Sequence, residues 1–267
     1  SGDELDRLAE SLNAMLARIE ELLAALREVS DNIAHDLKTP LNRLRNRAEA
    51  ALRGSDAATY REGLAKTIEE ADDLIKTFNA LLLIARLEAG AAAESMAPAD
   101  LTAVVGDIAE LYEPAAEEAG LELAVSAPSS LCAVVNRELI SQAVANLVDN
   151  AVKYSSAGIP APAGAAPTPP PGPPRQISIA LARIGDTVEI RVGDRGPGIA
   201  PEDRERALQR FVRLEKSRSR PGAGLGLSLV AAVARMHGGS VRLEDNDPGL
   251  RVVLSIPMRR PAPHAEK

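Results

Sequence analysis

Apolar residues in the first fifty positions recur with heptad spacing, which is typical of a coiled coil. Steps of four and three residues alternate along this seam, which comprises Leu8, Leu12, Met15, Ile19, Leu22, Leu26, Val29 and Ile33. Two successive four-residue steps, from Ile33 to Leu37 and then to Leu41, form a stutter that locally unwinds a supercoil. Pro40 lies in the same stretch and removes a helical hydrogen bond. We therefore expect a long helix with a bend between Ile33 and Leu41.

A second helix is predicted after Gly54-Ser55-Asp56, which indicates a helix stop followed by a new cap. Its apolar positions have helical spacing: Tyr60, Leu64, Ile68, Ala71, Leu74, Ile75, Phe78, Leu81, Leu82 and Ala85. Two long helices joined by a short turn predict an antiparallel hairpin. One hairpin cannot bury so long a seam on both helices, so we expect it to pair with a second copy in a four-helix bundle.

The pattern changes after the small-residue stretch Gly90-Ala91-Ala92-Ala93, which reads as a linker. Beyond it, helices are predicted near 101–118, 138–154 and 227–237, and short strands near 121–125, 131–134, 177–182, 188–192, 241–244 and 252–256. Segregated helices with mostly antiparallel strands predict an α+β sandwich. Residues 155–175 are rich in Pro, Ala and Gly and are expected to form an extended, solvated insert. A polyproline ligand for a partner domain is the alternative to a passive loop.

Composition narrows the range of possible cores and partners. The chain has 267 residues, of which 45% are hydrophobic and 2% aromatic, with no Trp, so a core must consist of Ala, Leu, Val and Ile. A chain with a net charge of −7 is poorly suited to binding nucleic acid or an anionic lipid surface, and we expect no nucleic-acid partner. The single cysteine, Cys132, excludes an internal disulfide framework and a cysteine-based zinc site. No apolar run approaches the ~20 residues of a membrane-spanning helix.

The first segment with candidate chemistry is SDNIAHDLKTPLNRL, residues 30–44, which places His35 at the register break. Asp36 could hydrogen-bond Nδ1 of the imidazole and leave Nε2 as a free nucleophile. Thr39 lies four residues after His35 on the same helical face, which a bend at Pro40 would expose. A histidine on a helix is commonly structural or solvated, so the pattern by itself leaves both interpretations open.

The second segment is NLVDNAVKYS, residues 146–155, on a predicted helix. Asn146 and Asn150 are four residues apart and share one helical face, with Lys153 about one turn further on. Two carboxamide oxygens and an ammonium group suit a hydrated Mg²⁺ and a polyphosphate. An ordinary amphipathic helix with asparagines on its wet side is the alternative.

Two glycine-rich segments follow. In Asp194-Arg195-Gly196-Pro197-Gly198-Ile199 the glycines permit a tight turn and a close approach to a ligand, and the carboxylate at the strand end could accept a hydrogen bond from an exocyclic amine. Gly222-Ala223-Gly224-Leu225-Gly226-Leu227 leads into a helix, an arrangement that can cradle an anion. It is neither a Walker A loop nor a Rossmann turn, and each segment alone is compatible with a polar turn.

Taken in order, the four motifs are His-Asp-x-x-Thr-Pro, N-x-x-x-N-A-x-K-Y, D-x-G-x-G-I and G-x-G-L-G-L. With this order the chain closely resembles, over residues 29–256, the cytoplasmic catalytic part of a two-component sensor histidine kinase. Residues 3–26 look, more loosely, like the end of a HAMP signalling segment, which usually follows a transmembrane helix. The chain opens with Ser1-Gly2 and no Met, so we expect it to be a piece of a longer protein.

The resemblance implies a domain order. Residues 1–26 would be the end of a HAMP-like coiled coil, 27–90 the dimerisation and phosphoacceptor hairpin, 91–96 a linker, 97–258 an ATP-binding domain of the gyrase- and chaperone-like superfamily, and 259–267 a tail. The parent protein would be anchored upstream of residue 1 in a bacterial inner membrane, with this part on the cytoplasmic side.

The resemblance also implies roles for individual residues. His35 would be the phosphoacceptor, Asp36 would orient its imidazole, and Thr39 would position water for dephosphorylation of a partner. Asn150 with Asn146 would hold Mg²⁺. The other positions implied to bind ATP are Lys153 and Tyr154 near the phosphates and nucleotide, Asp194, Gly196, Gly198 and Ile199 at the adenine, and Phe211, Gly222, Gly224, Leu225, Gly226 and Leu227 in the lid and its hinge.

The implied function is autophosphorylation of His35 from Mg-ATP, transfer to an aspartate in the receiver domain of a response regulator, and phosphatase activity towards that regulator. Asn146 occupies the position at which related gyrase- and chaperone-type ATPases carry a Glu that activates water, so transfer to histidine should exceed hydrolysis. The Pro-rich insert and a short lid are departures that bear on nucleotide affinity. A scaffold that binds ATP without transferring it, and a water-using ATPase, are the alternatives.

Overall fold

The computed structural model of the protein describes residues 41–50 except 43 and 47, and residues 57–88, 96–155, 175–214 and 224–258. The chain divides into two compact units, residues 1–89 and 90–267. The predicted heptad seam up to Ile33, the bend at Pro40, the turn before residue 57 and the linker at 90–93 lie outside the described residues. So do most of the Pro-rich insert and the tail.

The first unit contains helix α1, Ala57–Glu88, which confirms the second predicted helix and extends it at both ends. The described residues between 41 and 50 are also helical. Near the end of α1, the side chains of Leu81, Ile84 and Leu87 are buried. A second row of large apolar side chains on α1 is exposed: Tyr60, Leu64, Ile68, Ile75 and Phe78.

The second unit is built on a five-stranded sheet with the order β2-β4-β5-β7-β6. Its strands are β2 Leu121–Ser126, β4 Arg175–Ile184, β5 Thr187–Gly193, β6 Ser240–Asp245 and β7 Leu250–Pro257. Strand β2 runs parallel to β4, and the other neighbours are antiparallel. A separate antiparallel pair consists of β1 Ala97–Asp100 and β3 Cys132–Val135.

Three long helices pack with this sheet: α2 Leu101–Glu118, α3 Arg137–Ser155 and α5 Gly226–Met236. A 3₁₀ turn, Pro201–Asp203, and the short helix α4, Arg204–Ala207, lie in the connection after β5. One face of β4 and β5 buries a row of alternate large apolar residues, as the period of a strand requires: Ile177, Ile179, Leu181, Val188, Ile190 and Val192. Strand β7 is buried on both faces, since the residues from Val252 to Ile256 are all buried. The α+β sandwich predicted from the sequence is therefore confirmed.

Some details differ from the predictions. The sequence analysis did not predict β1, because Ala97-Pro98-Ala99-Asp100 has neither β-branched residues nor alternation; the proline is tolerated because β1 has a single partner strand. The insert was predicted to begin at residue 155 and end at 175. Ser155 is instead a buried residue of α3 whose Oγ accepts a hydrogen bond from the backbone of Arg195, and Arg175 belongs to β4.

A buried histidine connects the end of α5 to the start of α3. The ring of His237 is 5% exposed; its Nδ1 lies 2.8 Å from the carbonyl oxygen of Val233, and its Nε2 accepts a hydrogen bond from the backbone N–H of Asn136 at 3.0 Å. Asn136 in turn caps α3, because its Oδ1 accepts from the N–H of Leu139. This pattern requires a neutral imidazole that carries its proton on Nδ1.

Burial lowers the pKa of His237, against the opposing effect of its hydrogen bond to Val233. The unfolded chain binds this proton more readily than the folded one, so the free energy of unfolding falls as the pH drops below the ordinary histidine value of 6.5. We predict that His237→Leu removes this part of the pH dependence and costs about 1–3 kcal/mol at pH 8, because the N–H of Asn136 loses its partner. Urea unfolding of both proteins at pH 8 and at pH 5.5 measures the effect. Equal pH slopes would show that this ring does not titrate on unfolding.

Candidate functional site

The two asparagines of the second motif lie directly against the glycine that begins α5. Asn146 and Asn150 are half-buried on α3. A Cβ atom at Gly226 would lie 3.0 Å from Nδ2 of Asn150 and 3.4 Å from Oδ1 of Asn146. The structure thus brings together the second and the fourth motif, which are far apart in the sequence, so closely that a side chain at residue 226 would displace the amide of Asn150.

The orientation of one of these amides is set by the helix itself. Nδ2 of Asn146 donates to the carbonyl oxygen of Gln142 at 2.8 Å, so Oδ1 is the atom that faces Gly226. The first turn of α5 contributes backbone N–H groups that have no partner within the helix. Amide oxygens suit a hard divalent cation, and a helix N-terminus suits an anion, so this combination fits a metal-bound polyphosphate.

Acidic side chains are not the ligands that this site offers. Asp149 forms an ion pair with Lys153 at 2.5 Å, on the exposed surface of α3. Burial, and then the charge of Asp149, raises the pKa of Tyr112 on α2, which places this carboxylate on the side of α3 that faces α2. Within the described ranges, no group of three or more His, Cys, Asp and Glu side chains could hold a metal ion. A metal here would be held by amide oxygens, water and the oxygens of a bound anion.

Asp194 is a buried carboxylate immediately after β5. Its side chain is 7% exposed. The backbone N–H groups of Gly196 and Leu250 donate to its Oδ1 at 2.7 and 3.2 Å. Burial raises the pKa of Asp194, and the two backbone hydrogen bonds offset part of this shift. Both bonds end on Oδ1, which leaves Oδ2 for a further donor such as an amine.

The loop that contains Asp194 packs against the last turn of α3. A Cβ at Gly196 would lie 2.8 Å from the carbonyl oxygen of Tyr154 and 3.0 Å from Oδ1 of Asp194. Gly198 has a φ of +66°, and a Cβ there would lie 2.9 Å from the carbonyl oxygen of Gly249. The third motif therefore lies one to two helical turns from Asn150, about 6–8 Å along the axis. Ile199, in the same loop, accepts a hydrogen bond from Arg204 through its carbonyl oxygen.

The described part of the fourth motif, which begins at Gly224, is hydrogen-bonded to Phe211. The backbone N–H of Phe211 donates to the carbonyl oxygen of Gly224 at 3.1 Å, and both residues have a positive φ. Leu225 follows as a buried residue, 4% exposed, whose carbonyl oxygen accepts from Ser228 and from the N–H of Leu229. Leu227 is half-buried in the first turn of α5.

The structure thus places Asn146, Asn150, Lys153 and Tyr154 on α3 and brings Gly226 and Gly196 against that helix. His35, Asp36, Thr39 and Gly222 lie outside the described residues, and the structure does not test them. The sequence analysis missed Gly249, Leu250 and Asn246, which come from the turn between β6 and β7 and touch Asp194. Asn-Asp-Pro-Gly is a strong turn signal, but nothing in it indicates that this turn reaches a loop some fifty residues earlier.

Comparison with known proteins agrees with this arrangement. The His Kinase A (phospho-acceptor) domain matches residues 25–90, and the histidine kinase-, DNA gyrase B- and HSP90-like ATPase domain matches residues 135–260. The chain belongs to the two-component sensor histidine kinases. The family and the fold class predicted from the sequence are confirmed. The second unit of this kinase contains the ATPase domain, which implies that it binds ATP.

Comparison with individual relatives shows what fraction of their length this chain covers. The kinase is 36% identical over 230 residues to sensor-like histidine kinase SenX3 of Mycobacterium tuberculosis, covering 85% of this chain and 52% of SenX3. It is 30% identical over 261 residues to sensor protein kinase PmrB of Pseudomonas aeruginosa, covering 97% of this chain and 51% of PmrB. The chain therefore spans about half the length of these relatives.

A solved structure with a similar fold is full-length ShkA in complex with AMPPNP. It is 27% identical to this kinase, with a TM-score of 0.60, and the match covers 87% of this chain and 47% of ShkA. Among the helices that the structure describes, none is both long and apolar enough to cross a membrane.

Two Gly→Ala substitutions should have opposite effects on stability, one at a close contact beside Asp194 and one inside a helix with open space. At Gly249, where φ is +120°, a Cβ would lie 1.9 Å from the carbonyl oxygen of Asp194, so Gly249→Ala should cost about 2–4 kcal/mol by displacing the loop. At Gly106, inside α2, a Cβ would meet nothing within 4 Å, so Gly106→Ala should stabilise the kinase by up to ~1 kcal/mol. Urea unfolding midpoints compare the two variants, and a Gly249→Ala protein as stable as the wild type would contradict this close approach.

Proposed function

We propose that this kinase binds Mg-ATP along α3, transfers the γ-phosphoryl group to His35, and passes it on to an aspartate in the receiver domain of a response regulator. The observation that carries the proposal is the convergence on α3 of two amides, a helix N-terminus and a buried carboxylate. His35 lies within the residues that match the phospho-acceptor domain.

The residues proposed to bind ATP have different roles, which follow from the chemistry of their side chains. Ionised Asp194 accepts a hydrogen bond from the 6-amino group of adenine through Oδ2, which favours ATP over GTP. Asn146 and Asn150 hold Mg²⁺ through their amide oxygens, and Lys153, once it leaves Asp149, pairs with phosphate oxygens. Bound Mg²⁺ supplies neutralisation of the phosphate charge. Because its pKa is raised, Asp194 begins to take up a proton, and ATP affinity to fall, at a higher pH than for a surface aspartate.

The transfer itself needs a nucleophile that does not have to lose a proton first. The neutral imidazole of His35 attacks the γ-phosphorus with a nitrogen lone pair, forming a P–N bond as the P–O bond to ADP breaks. Asp36 accepts the hydrogen bond from the other ring N–H and stabilises the positive charge that develops on the ring. Thr39 positions the water that later removes phosphate from the regulator.

Asn146 favours a kinase over an ATPase that uses water. An amide cannot take a proton from water, and one of the two Nδ2 hydrogens of Asn146 is donated to the carbonyl oxygen of Gln142. Asp149, the neighbouring carboxylate on α3, is paired with Lys153. Hydrolysis of bound ATP should therefore be slow.

The exposed apolar row of α1 supports a homodimer. Tyr60, Leu64, Ile68, Ile75 and Phe78 recur at helical spacing and are all more than a third exposed. A second copy of the helical hairpin would cover them in a four-helix bundle. For the parent protein we retain the proposal of a membrane anchor upstream of residue 1, with this part on the cytoplasmic side.

Phosphorylation of His35 is tested by incubating the chain with Mg²⁺ and ATP labelled at the γ-phosphate. We predict acid-labile, base-stable label on the wild type, none on His35→Gln, and undiminished label on the control His264→Gln. Label that persists on His35→Gln would place the phosphoacceptor elsewhere. Steady ATP turnover in that variant would favour the water-using ATPase, and ATP binding without label on the wild type would favour the scaffold.

The role of the amides is tested by Asn150→Ala, which should weaken Mg-ATP binding at least about tenfold, ~1.4 kcal/mol, because a ligand of the cation is lost. Gln142→Ala is the matched control, since it lies on the same helix, its side chain is exposed and only its backbone carbonyl serves the site. Calorimetric titration with and without Mg²⁺ measures both. An unchanged affinity for Mg-ATP in Asn150→Ala would remove this residue from the metal site.

A further inference from the structure

The turn between β6 and β7 holds Asp194 on several sides. The backbone N–H of Asp194 donates to the carbonyl oxygen of Leu250 at 2.9 Å, which continues the pairing of β5 with β7. The N–H of Leu250 donates to Oδ1 of Asp194. The carbonyl oxygen of Asp194 accepts a hydrogen bond from Nδ2 of Asn246 at 2.8 Å.

Asn246 is itself fixed in orientation. Nη2 of Arg251 donates to its Oδ1 at 2.7 Å, and its backbone N–H donates to the carbonyl oxygen of Gly249 at 3.2 Å. Because a guanidinium can only donate, the amide oxygen must face Arg251 and the amide nitrogen must face Asp194. Space for this amide depends on Gly193, where a Cβ would lie 3.0 Å from Nδ2 of Asn246.

The peptide group between Asp194 and Arg195 is thereby held at both ends. Asn246 binds its oxygen at 2.8 Å, and Oγ of Ser155, at the end of α3, accepts from its N–H at 3.4 Å. Rotation of this peptide would move Gly196, whose N–H binds Oδ1 of Asp194 at 2.7 Å. The orientation of the carboxylate is thus tied to a side chain that does not belong to any of the four motifs.

We propose that Asn246, oriented by Arg251, is a positioning residue that aims the carboxylate of Asp194 at the nucleotide base and so sets the preference for adenine. This inference rests on the proposed function, in which Asp194 reads the 6-amino group. Asn246 acts through Asp194 and does not itself touch the nucleotide. Its loss should therefore weaken recognition of the amino group more than it weakens binding of the phosphates.

The test compares two ligands on the full 267-residue chain. ADP and purine riboside 5′-diphosphate differ only in the 6-amino group, and neither can transfer a γ-phosphoryl group. Calorimetric titration in Mg²⁺ gives the ratio of their dissociation constants, which the fraction of folded protein does not alter, since both ligands are measured on the same preparation. We expect the wild type to prefer ADP by about tenfold or more, as expected for one hydrogen bond to a charged group.

The variants change the donor to Asp194 and little else. Asn246→Asp keeps the acceptor for Arg251 but removes the donor and sets a carboxylate against a carbonyl oxygen. It should reduce the preference for ADP to about twofold, mainly by weakening ADP, and Asn246→Ala should do the same without a new charge. The control is Asp247→Asn in the same turn, whose side chain is exposed, and it should keep the preference of the wild type.

The outcomes separate the two proposals. If the wild type shows no preference for ADP, reading of the amino group by Asp194 is wrong, and this inference falls with it. If the wild type prefers ADP and both Asn246 variants retain that preference in full, Asn246 is not a positioning residue, while the proposed function stands. A loss of preference that Asp247→Asn shows equally would assign the effect to the turn as a whole and overturn the role of Asn246.

Discussion

Close approaches of backbone to α3 and to the loop after β5 are the constraint on which the site depends. At Gly226 the start of α5 comes within contact of two amides, and at Gly196 the loop after β5 lies against the last turn of α3. A Cβ at Gly196 would come within 2.8 Å of a backbone carbonyl oxygen, so the loop would have to shift, and a Cβ at Gly226 would lie 3.0 Å from a side-chain amide, which would have to give way by a few tenths of an ångström. At Gly196, where backbone meets backbone, this contact fixes the position of the loop that carries Asp194 against the end of α3.

This arrangement resolves an apparent conflict in the charge of the chain. A protein with a net charge of −7 is a poor general attractor of polyanions. The site, however, presents neutral amides, the N-terminus of α5 and a lysine, while its nearest exposed carboxylate, Asp149, is paired with that lysine. The buried carboxylate of Asp194 lies in the loop that packs on the last turn of α3, and in the proposed function its negative charge attracts the amino group of a base. In the proposed function, local dipoles and the order of groups along α3 outweigh the net charge.

Much of the second unit could be predicted from the sequence because its elements have strong periods. The predicted helix 101–118 coincides with α2, and the predicted strands near 188–192 and 252–256 lie inside β5 and β7 with one or two residues to spare. Strand β1 was not predicted because four residues without alternation carry no signal of a strand. Asn246 and Gly249 were not predicted to lie at the site for a different reason. Their contacts with Asp194 follow from the pairing of β5 with β7, which no local sequence pattern encodes.

The chemistry of Asn146 connects the fold to the choice of reaction. With its nitrogen donating to the carbonyl oxygen of Gln142, this amide turns its oxygen towards Gly226; the oxygen can accept a hydrogen bond or bind a cation, but the amide cannot remove a proton. Water must lose a proton as it attacks phosphorus, whereas an imidazole brings a lone pair that is ready to react. A site with this amide at this position can therefore keep its nucleotide intact until a nucleophile of the second kind arrives. In the proposed reaction, an amide in place of an acid–base side chain thus directs the bound nucleotide towards transfer to histidine.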